Sequence, residues 1–171
     1  MSAEGIYLRR LNRRHVGLLI RASHDPEIVR WTFMPPDLDR AAAAALSERW
    51  RSLAASGRIR QYVISSQQSK PAIGLVSLVL QDPVDAWLAD IVYWLLPEGR
   101  QRGLVTLAVR LVLKWAFEES EVRRVALYTM EGNRPSERVA MRCGFRYTET
   151  VQRMRGEHAF ALRRWLLVSE G

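Results

Sequence analysis

The chain has 171 residues, of which 48% are hydrophobic, and its formal net charge is +8. That length fits one domain with a self-sufficient core, and the absence of a run of about 18 apolar residues argues against a membrane span. The single cysteine, Cys143, excludes an internal disulfide. Because the first residues also lack the apolar stretch of a signal peptide, we expect a cytoplasmic protein.

The positive charge is carried almost entirely by arginine, since Lys70 and Lys114 are the only lysines. The arginines stand singly or in pairs along the whole chain, without a dense basic tract. A nucleic-acid-binding protein concentrates its charge on one face or in one arm. The distribution therefore argues against nucleic acid as a partner.

The N-terminal region predicts one strand followed by helical segments. Apolar and basic residues mix in a strand over 6–11, and Asn12 can cap a helix that ends near residue 22. Pro26 can open a short helical turn, which the proline pair at 35–36 stops.

A long alanine-rich helix and three strands come next. Asp37 or Asp39 can cap this helix, and Gly57 ends it. From residue 60 the pattern becomes strand-like, and turn residues separate three strand candidates, "QYVISSQ", "AIGLVSLVLQ" and "AWLADIVYWLL". Three strands in such close succession predict an antiparallel meander.

The C-terminal region predicts two helices, over 102–118 and 135–142, and three strands, over 123–130, 147–154 and 159–167. The longer helix carries one apolar stripe, formed by Leu104, Leu107, Ala108, Leu111, Val112 and Trp115. The strand, helix and strand over 86–130 predict a parallel pair joined by a helical crossover. The expected architecture is therefore a mixed sheet with helices on both faces, in a single domain over residues 1–171.

The loop that opens the longer helix, within "LLPEGRQRGLVTLAVR", combines glycine with positive charge. A helix N-terminus presents unpaired N–H groups and a positive partial charge, which suit a phosphate. Gly103 removes a side chain where a ligand would approach, and Arg100 and Arg102 add charge. The alternative is a plain turn with solvated arginines. Neither a P-loop nor a dinucleotide-binding glycine motif fits this spacing.

This loop resembles the acyl-CoA loop of the GNAT superfamily of N-acetyltransferases, whose pattern is Q/R-x-x-G-x-G/A. The match runs from Arg100 to Leu104, while Val105 stands where glycine or alanine is usual and adds bulk near the phosphates. Three more segments are similar in order and spacing, "AIGLVSL", "DIVYWLLPEGRQRGL" and "EGNRPSERVAMRCGF". The segment "DPEIVRWTFMPP" resembles the substrate-side loop of the branch that contains the ribosomal-protein N-terminal acetyltransferases.

The resemblance implies an α+β fold, an α/β/α sandwich around a mixed sheet of about seven strands. It also implies that acetyl-CoA is the co-substrate and that the acetyl group passes directly to a primary amine in a ternary complex, without a metal. The backbone N–H of Leu95 would polarise the thioester carbonyl. The implied acetyl-CoA-binding residues are Tyr93, Leu95, Arg100, Gln101, Arg102, Gly103, Leu104, Val105, Thr106 and Asn133.

Asn133 and Ser136 match the N-x-x-S motif of the superfamily. By resemblance, Asn133 anchors the pantetheine arm and Ser136 meets the thiolate. Many members place a tyrosine as general acid where this chain has Ala140, so Ser136, directly or through water, is the predicted proton donor. The structural alternative is that Asn133 fixes a turn and Ser136 caps the short helix.

Asp90 is the predicted general base, because it is the carboxylate nearest in sequence to the expected acetyl site. Its ordinary pKa of about 3.9 suits this task only if burial raises it. The alternative is a strand-edge aspartate that faces solvent or pairs with an arginine, and Glu131 is a second candidate. The three histidines and Cys143 lack ligand spacing, so no metal site is predicted.

Trp31, Phe33 and Met34 form an apolar cluster in an irregular segment, which predicts a wall of the acceptor pocket or a cover over the core. The branch resemblance favours a protein N-terminal α-amine as the acceptor.

Other functions and acceptors remain open. A polyamine or aminoglycoside-like acceptor would suit an acidic lip of Asp82, Asp85 and Asp90, although the net positive charge would repel it. A third possibility is a non-catalytic acyl-CoA-binding or RNA-associated module. The pattern is compatible with a monomer or a homodimer.

Overall fold

The computed structural model describes residues 1–3, 5–80, 87–155 and 158–169. The strands in chain order are β1 (Ser2–Ala3), β2 (Ile6–Arg10), β3 (Ile59–Ser65), β4 (Gly74–Leu80), β5 (Leu88–Leu95), β6 (Arg124–Met130), β7 (Arg146–Arg155) and β8 (His158–Val168). The α-helices are α1 (Val16–Ser23), α2 (Pro26–Trp31), α3 (Arg40–Ala55), α4 (Leu104–Glu119) and α5 (Arg134–Arg142). A 3-10 turn at Arg13–His15 leads directly into α1.

The strands form one mixed sheet in the order β1-β2-β3-β4-β5-β6-β8-β7. Strands β3, β4 and β5 pair antiparallel, which confirms the predicted meander. Strands β5 and β6 pair parallel across the α4 crossover, as the strand–helix–strand order predicted. The predicted α+β mixed sheet of about seven strands is confirmed, and the additional strand is the two-residue β1.

Side-chain caps start the helical segments at the predicted positions. Asp39 caps α3, because its Oδ1 accepts the Ala42 N–H at 2.7 Å. Asp37, the other candidate, has a left-handed φ of +53° and lies before the cap. Asn12 caps the 3-10 turn before α1 as predicted, and Asp25, which was not predicted as a cap, caps α2 ahead of Pro26.

Each face of the sheet has its own apolar cluster. Helices α4 and α5 pack on one face, and α1, α2 and α3 pack on the other. The buried stripe of α4 is wider than predicted and includes Val109, Leu113 and Ala116, because the helix contacts the sheet and α5. Leu107, Leu111 and Trp115, which were expected inside the stripe, are only half-buried at its flank.

Candidate functional site

Two neighbouring strands stop pairing in the middle of the sheet. Strand β5 pairs with β6 only from Leu88 to Asp90, opposite residues 124–126. Strand β5 nevertheless continues to Leu95, and β6 continues to Met130 while paired with β8. The gap between the two strands opens into a cleft of about 620 Å³ whose walls include the first residues of α4 and α5.

The N-terminus of α4 closes one side of this cleft. Gly103 lies at the N-cap with a left-handed φ of +73°, and a Cβ added there would meet no atom within 4 Å. The first bond of the helix runs from the Leu107 N–H to the Gly103 carbonyl, at 3.1 Å. The three N–H groups before it, at 104–106, have no intrahelical acceptor, and the first turn has no acidic side chain. This open, positively polarised helix end fits a phosphate group.

The loop before α4 is fixed by Arg100. Its Nε donates to the Leu95 carbonyl at 3.1 Å, and its Nη2 lies 2.5 Å from Oδ1 of the buried Asp25. Arg100 lines the cleft, but a carboxylate shares its charge, so its main contribution is to hold the loop against β5 and α2. Gln101 also lines the cleft with a left-handed φ of +60°, whereas Arg102 is exposed outside the cleft wall.

The backbone of β5 presents a free edge to the gap. The Leu96 N–H donates to the Ile73 carbonyl at 2.8 Å, on the side of β4. Because N–H groups alternate in direction along a strand, the Leu95 N–H points to the opposite edge, where β6 no longer pairs. Gly74 makes this register possible, since an added Cβ would lie 2.4 Å from Leu95 Cδ2. The edge can therefore donate to a ligand.

Two hydroxyl groups meet at the other wall. The Tyr93 hydroxyl lies 2.7 Å from Ser136 Oγ and 3.3 Å from the Ser136 carbonyl. Burial raises the pKa of Tyr93, so its hydroxyl stays protonated and can donate to Ser136. Asn133, rather than Ser136, caps α5, because Asn133 Oδ1 accepts the Ser136 N–H at 3.2 Å. The serine hydroxyl is therefore not used as a cap, and Ala140 is fully buried nearby without a polar side chain.

Asp90 lines the cleft where the two strands part. Its Oδ1 is buried and finds no hydrogen-bond partner in the described part of the chain. Burial raises the pKa of Asp90 from 3.8 to about 7, although Arg153 and Arg164 oppose the rise. Asp90 is half-buried rather than fully solvent-facing, and within the described residues its Oδ1 makes no hydrogen bond to an arginine. A carboxyl group that ionises near neutral pH can accept a proton from an amine.

The predicted acceptor cluster divides between the cleft and the core. Trp31 and Phe33 line the cleft, and the Trp31 Nε1–H donates to Glu27 Oε2 at 2.8 Å. Met34 is only 3% exposed and packs in the cluster with α1 and α3, because the chain turns inward before the proline pair. Its side chain therefore belongs to the core and not to the cleft wall.

The remaining predicted residues divide in the same way. Val105 and Thr106 line the cleft, whereas Leu104 is 5% exposed and packs in the core. Val105 also packs partly against the cluster under α4. Glu131, the second candidate base, is exposed and lies outside the cleft wall. Asp82 and Asp85 of the predicted acidic lip lie outside the described residues.

Sequence reasoning did not find several cleft residues contributed by β5, β6, β7 and α5, which include Val92, Tyr128, Met130, Arg138, Arg142, Arg153 and Met154. Alternation along β6 could have placed Tyr128 and Met130 on the face opposite the buried Leu127. Strand β7 reaches the cleft only through the register of β6 with β8 and of β8 with β7.

The part of the chain that the structure describes contains potential metal ligands and the single cysteine. Within the described ranges, no group of three His, Cys, Asp or Glu side chains is placed to hold a metal ion. Cys143 Sγ lies 3.8 Å from the Thr106 carbonyl, and burial raises the pKa of its thiol, as expected for a packing residue. Across the same ranges, none of the helices has both the length and the apolar character to cross a membrane.

Comparisons with known proteins agree with this geometry. The acetyltransferase (GNAT) domain family matches residues 6–146. The Bacillus subtilis (strain 168) protein named "Putative ribosomal N-acetyltransferase YdaF" is 40% identical over 72 residues. That match covers 42% of this chain and 39% of the relative, well under two thirds of its length.

Two solved structures share the whole fold at low sequence identity. The spermidine N-acetyltransferase from Vibrio cholerae, in complex with CoA and spermine, has a TM-score of 0.80 and 18% identity, with 97% of this chain and 96% of that chain covered. RimL, a ribosomal L7/L12 alpha-N-protein acetyltransferase in complex with coenzyme A, has a TM-score of 0.81 and 15% identity, with coverage of 98% and 96%. The family match spans most of this chain, and the chain therefore belongs to the acetyltransferase (GNAT) domain family.

Proposed function

We propose that this acetyltransferase is a cytoplasmic enzyme that acetylates a protein N-terminal α-amine by direct attack in a ternary complex. The observation that carries the proposal is one cleft lined by three kinds of group. These are a buried carboxyl group, a free backbone edge and a hydroxyl pair, represented by Asp90, Leu95 and Ser136.

The cleft fits acetyl-CoA, which supplies the acetyl group as an activated thioester. The open N-terminus of α4 would hold the diphosphate, because its N–H groups at 104–106 lack acceptors and Gly103 leaves room. Hydrogen bonds from N–H groups to charged oxygens contribute about 1.5–3 kcal/mol each. Gln101 and Arg100 border the same position. The exposed edge of β5 would pair with the amide groups of the pantetheine arm.

The Leu95 N–H is positioned to polarise the carbonyl of the acetyl group. It points into the gap between β5 and β6, away from β4. A fixed donor inside a water-poor cleft stabilises developing negative charge on oxygen more than water does. Removing one such donor from an enzyme costs about 100-fold or more in rate.

Asp90 would take the proton from the attacking amine. An α-amine has a pKa of about 8, so most of it is protonated at neutral pH. The pKa of Asp90, raised by burial to about 7, is close enough to make this transfer nearly balanced. Its buried Oδ1 has no competing partner among the described residues.

Ser136 would donate a hydrogen bond to the leaving sulfur, and Tyr93 would hold Ser136 in place. The Tyr93 hydroxyl contacts Ser136 Oγ at 2.7 Å and stays protonated. If Tyr93 donates to this oxygen, the serine hydrogen is free to point toward the sulfur. The pair would supply the proton donor that a side chain at Ala140 cannot.

A small polycationic amine is the second candidate acceptor, and a non-catalytic acyl-CoA-binding or RNA-associated module is the third possibility. The names of the relatives support both acceptor classes, since one structural neighbour is a spermidine N-acetyltransferase and another acts on a ribosomal-protein α-amine. The apolar Trp31 and Phe33 at the cleft favour a peptide over a polyamine.

The test is the release of CoA thiol from acetyl-CoA with peptides bearing free or blocked N-termini, and with spermidine. We expect release that depends on a free peptide α-amine, a product heavier by one acetyl group, and loss of turnover in Asp90→Asn. If the protein binds acetyl-CoA but no amine of either class increases thiol release, the proposed function is refuted.

A further inference from the structure

The cleft displays large apolar side chains that the core does not cover. Among the described residues, Phe33 is 58% exposed, Val92 is 44% exposed and Met154 is 66% exposed. These side chains come from three separate parts of the chain, the segment after α2, strand β5 and strand β7, and all three line the same cleft. Exposed apolar groups that converge on one cavity are typical of a ligand-binding surface.

The same cleft also carries the guanidinium group of Arg153. The guanidinium carbon of Arg153 lies 5.0 Å from the centre of the Tyr128 ring, and Arg153 has no carboxylate in an ion pair within the described ranges. Two arginines of β8, by contrast, pair with carboxylates: Arg163 contacts Glu137 at 2.9 Å, and Arg164 contacts Glu149 at 2.7 Å.

Two carboxyl groups, those of Glu27 and Asp90, line the cleft with Arg153. Glu27 Oε2 accepts the Trp31 indole N–H at 2.8 Å at the cleft rim, and Arg30 stacks on the same ring at 4.4 Å. Asp90 lies within the electrostatic influence of both Arg153 and Arg164. A second positive charge on the acceptor would be repelled by Arg153, whereas a negative charge would be attracted to it.

We infer that the acceptor is a peptide N-terminus whose first side chain is apolar and which carries an acidic residue within its first few positions. This inference rests on the proposed function and narrows its substrate class. The α-amine would face Asp90, the first side chain would cover the apolar wall of Phe33, Val92 and Met154, and the acidic side chain would pair with Arg153. The same arrangement disfavours polyamines and aminoglycoside-like amines, because Arg153 would repel a second cationic group in the cleft.

The test compares acetylation of three amidated peptides, Leu-Ala-Glu-Ala, Leu-Ala-Lys-Ala and Gly-Ala-Glu-Ala, together with spermidine. We expect kcat/KM for the first peptide to exceed that for the second and third by about tenfold, which corresponds to about 1.4 kcal/mol. Spermidine should be the poorest acceptor. Arg153→Glu should invert the preference between the first two peptides. The ratio of the two kcat/KM values is compared within one variant, so any effect of the substitution on Asp90 that is common to both peptides cancels.

Two control variants show whether the effects depend on the cleft. One makes the same change of charge outside the cleft, and the other removes an exposed methionine side chain outside the cleft. Arg146 is an exposed arginine on the same strand outside the cleft, so Arg146→Glu should keep the wild-type ratio. Met154→Ala should reduce the advantage of leucine over glycine, whereas the exposed Met141 lies outside the cleft and Met141→Ala should not.

The inference is overturned if wild type prefers the lysine peptide or spermidine, or if Arg153→Glu changes the ratio no more than Arg146→Glu does. Such results would leave acetyl transfer to amines intact. If no peptide and no amine is acetylated at all, the proposed function itself is wrong, so the two failures are distinguishable.

Discussion

The raised pKa of Asp90 predicts that Asp90→Asn stabilises the protein while it removes activity. A carboxyl group whose pKa rises from 3.8 to about 7 on folding binds more protons in the native state than in the unfolded state. The folded protein therefore loses stability as the pH rises through this range, up to about 4 kcal/mol above pH 7, since each pH unit corresponds to about 1.36 kcal/mol. Asparagine has no charge to bury, so the variant escapes this loss.

The assay is urea unfolding of both proteins at pH 5 and pH 8. At pH 8 the variant should be more stable by about 2–4 kcal/mol, and this advantage should shrink by about 2–3 kcal/mol at pH 5, where wild-type Asp90 is largely neutral when folded. Glu131→Gln is the matched control, because Glu131 is exposed and lies outside the cleft wall, and the difference in stability between this variant and wild type should change little with pH. Equal stability of wild type and Asp90→Asn at pH 8 would show that the ionised carboxylate of Asp90 does not destabilise the folded protein, and the assigned burial would be wrong.

Two further predictions concern the Tyr93–Ser136 hydroxyl pair and Gly74, the first residue of β4. Ser136→Ala removes the proposed proton donor, so it should lower kcat by at least about tenfold with little change in acetyl-CoA affinity. Tyr93→Phe removes the hydroxyl group that holds Ser136 in place, so it should also lower kcat, with KM nearly unchanged. Unchanged kcat in both variants would make the contact purely structural. Gly74→Ala should destabilise the fold by about 1–3 kcal/mol, because its Cβ would lie 2.5 Å from the backbone carbonyl oxygen of Trp94, which cannot move aside without distorting β5. Gly17→Ala, in open space on α1, should instead stabilise it by about 0.5–1 kcal/mol in urea unfolding, and the opposite order would contradict the assigned packing.

The strand and helix order, the parallel pair and the crossover could be predicted from local patterns. Alternation identified β5, helical periodicity identified α4, and a strand–helix–strand unit of this length allows few connections. The helix caps could also be predicted, because Asn12 and Asp39 satisfy N–H groups only a few residues away. Such short-range chemistry is visible in a single sequence.

The shape of the cleft could not be predicted, because it depends on pairings between distant residues. Nothing local to Asp90 shows that β6 leaves β5 there, and the burial of its carboxyl group follows from that departure. Arg153 reaches the cleft through two strand registers, which a sequence pattern does not specify. The prediction for Met34 was wrong because its position is ambiguous in the sequence. An apolar residue between Phe33 and two prolines can face either the core or the solvent, and in the structure Met34 is buried whereas Phe33 is exposed.

Isothermal titration of three proteins tests whether acetyl-CoA binds with its diphosphate at the N-terminus of α4. Gly103→Ala and Gly103→Glu impose the same backbone strain at a φ of +73°, and only the second adds negative charge beside the open N–H groups. We predict that wild type and Gly103→Ala bind acetyl-CoA, and that folded Gly103→Glu binds at least about tenfold more weakly than Gly103→Ala. Equal affinity of the two variants for acetyl-CoA would show that the diphosphate does not bind at the N-terminus of α4.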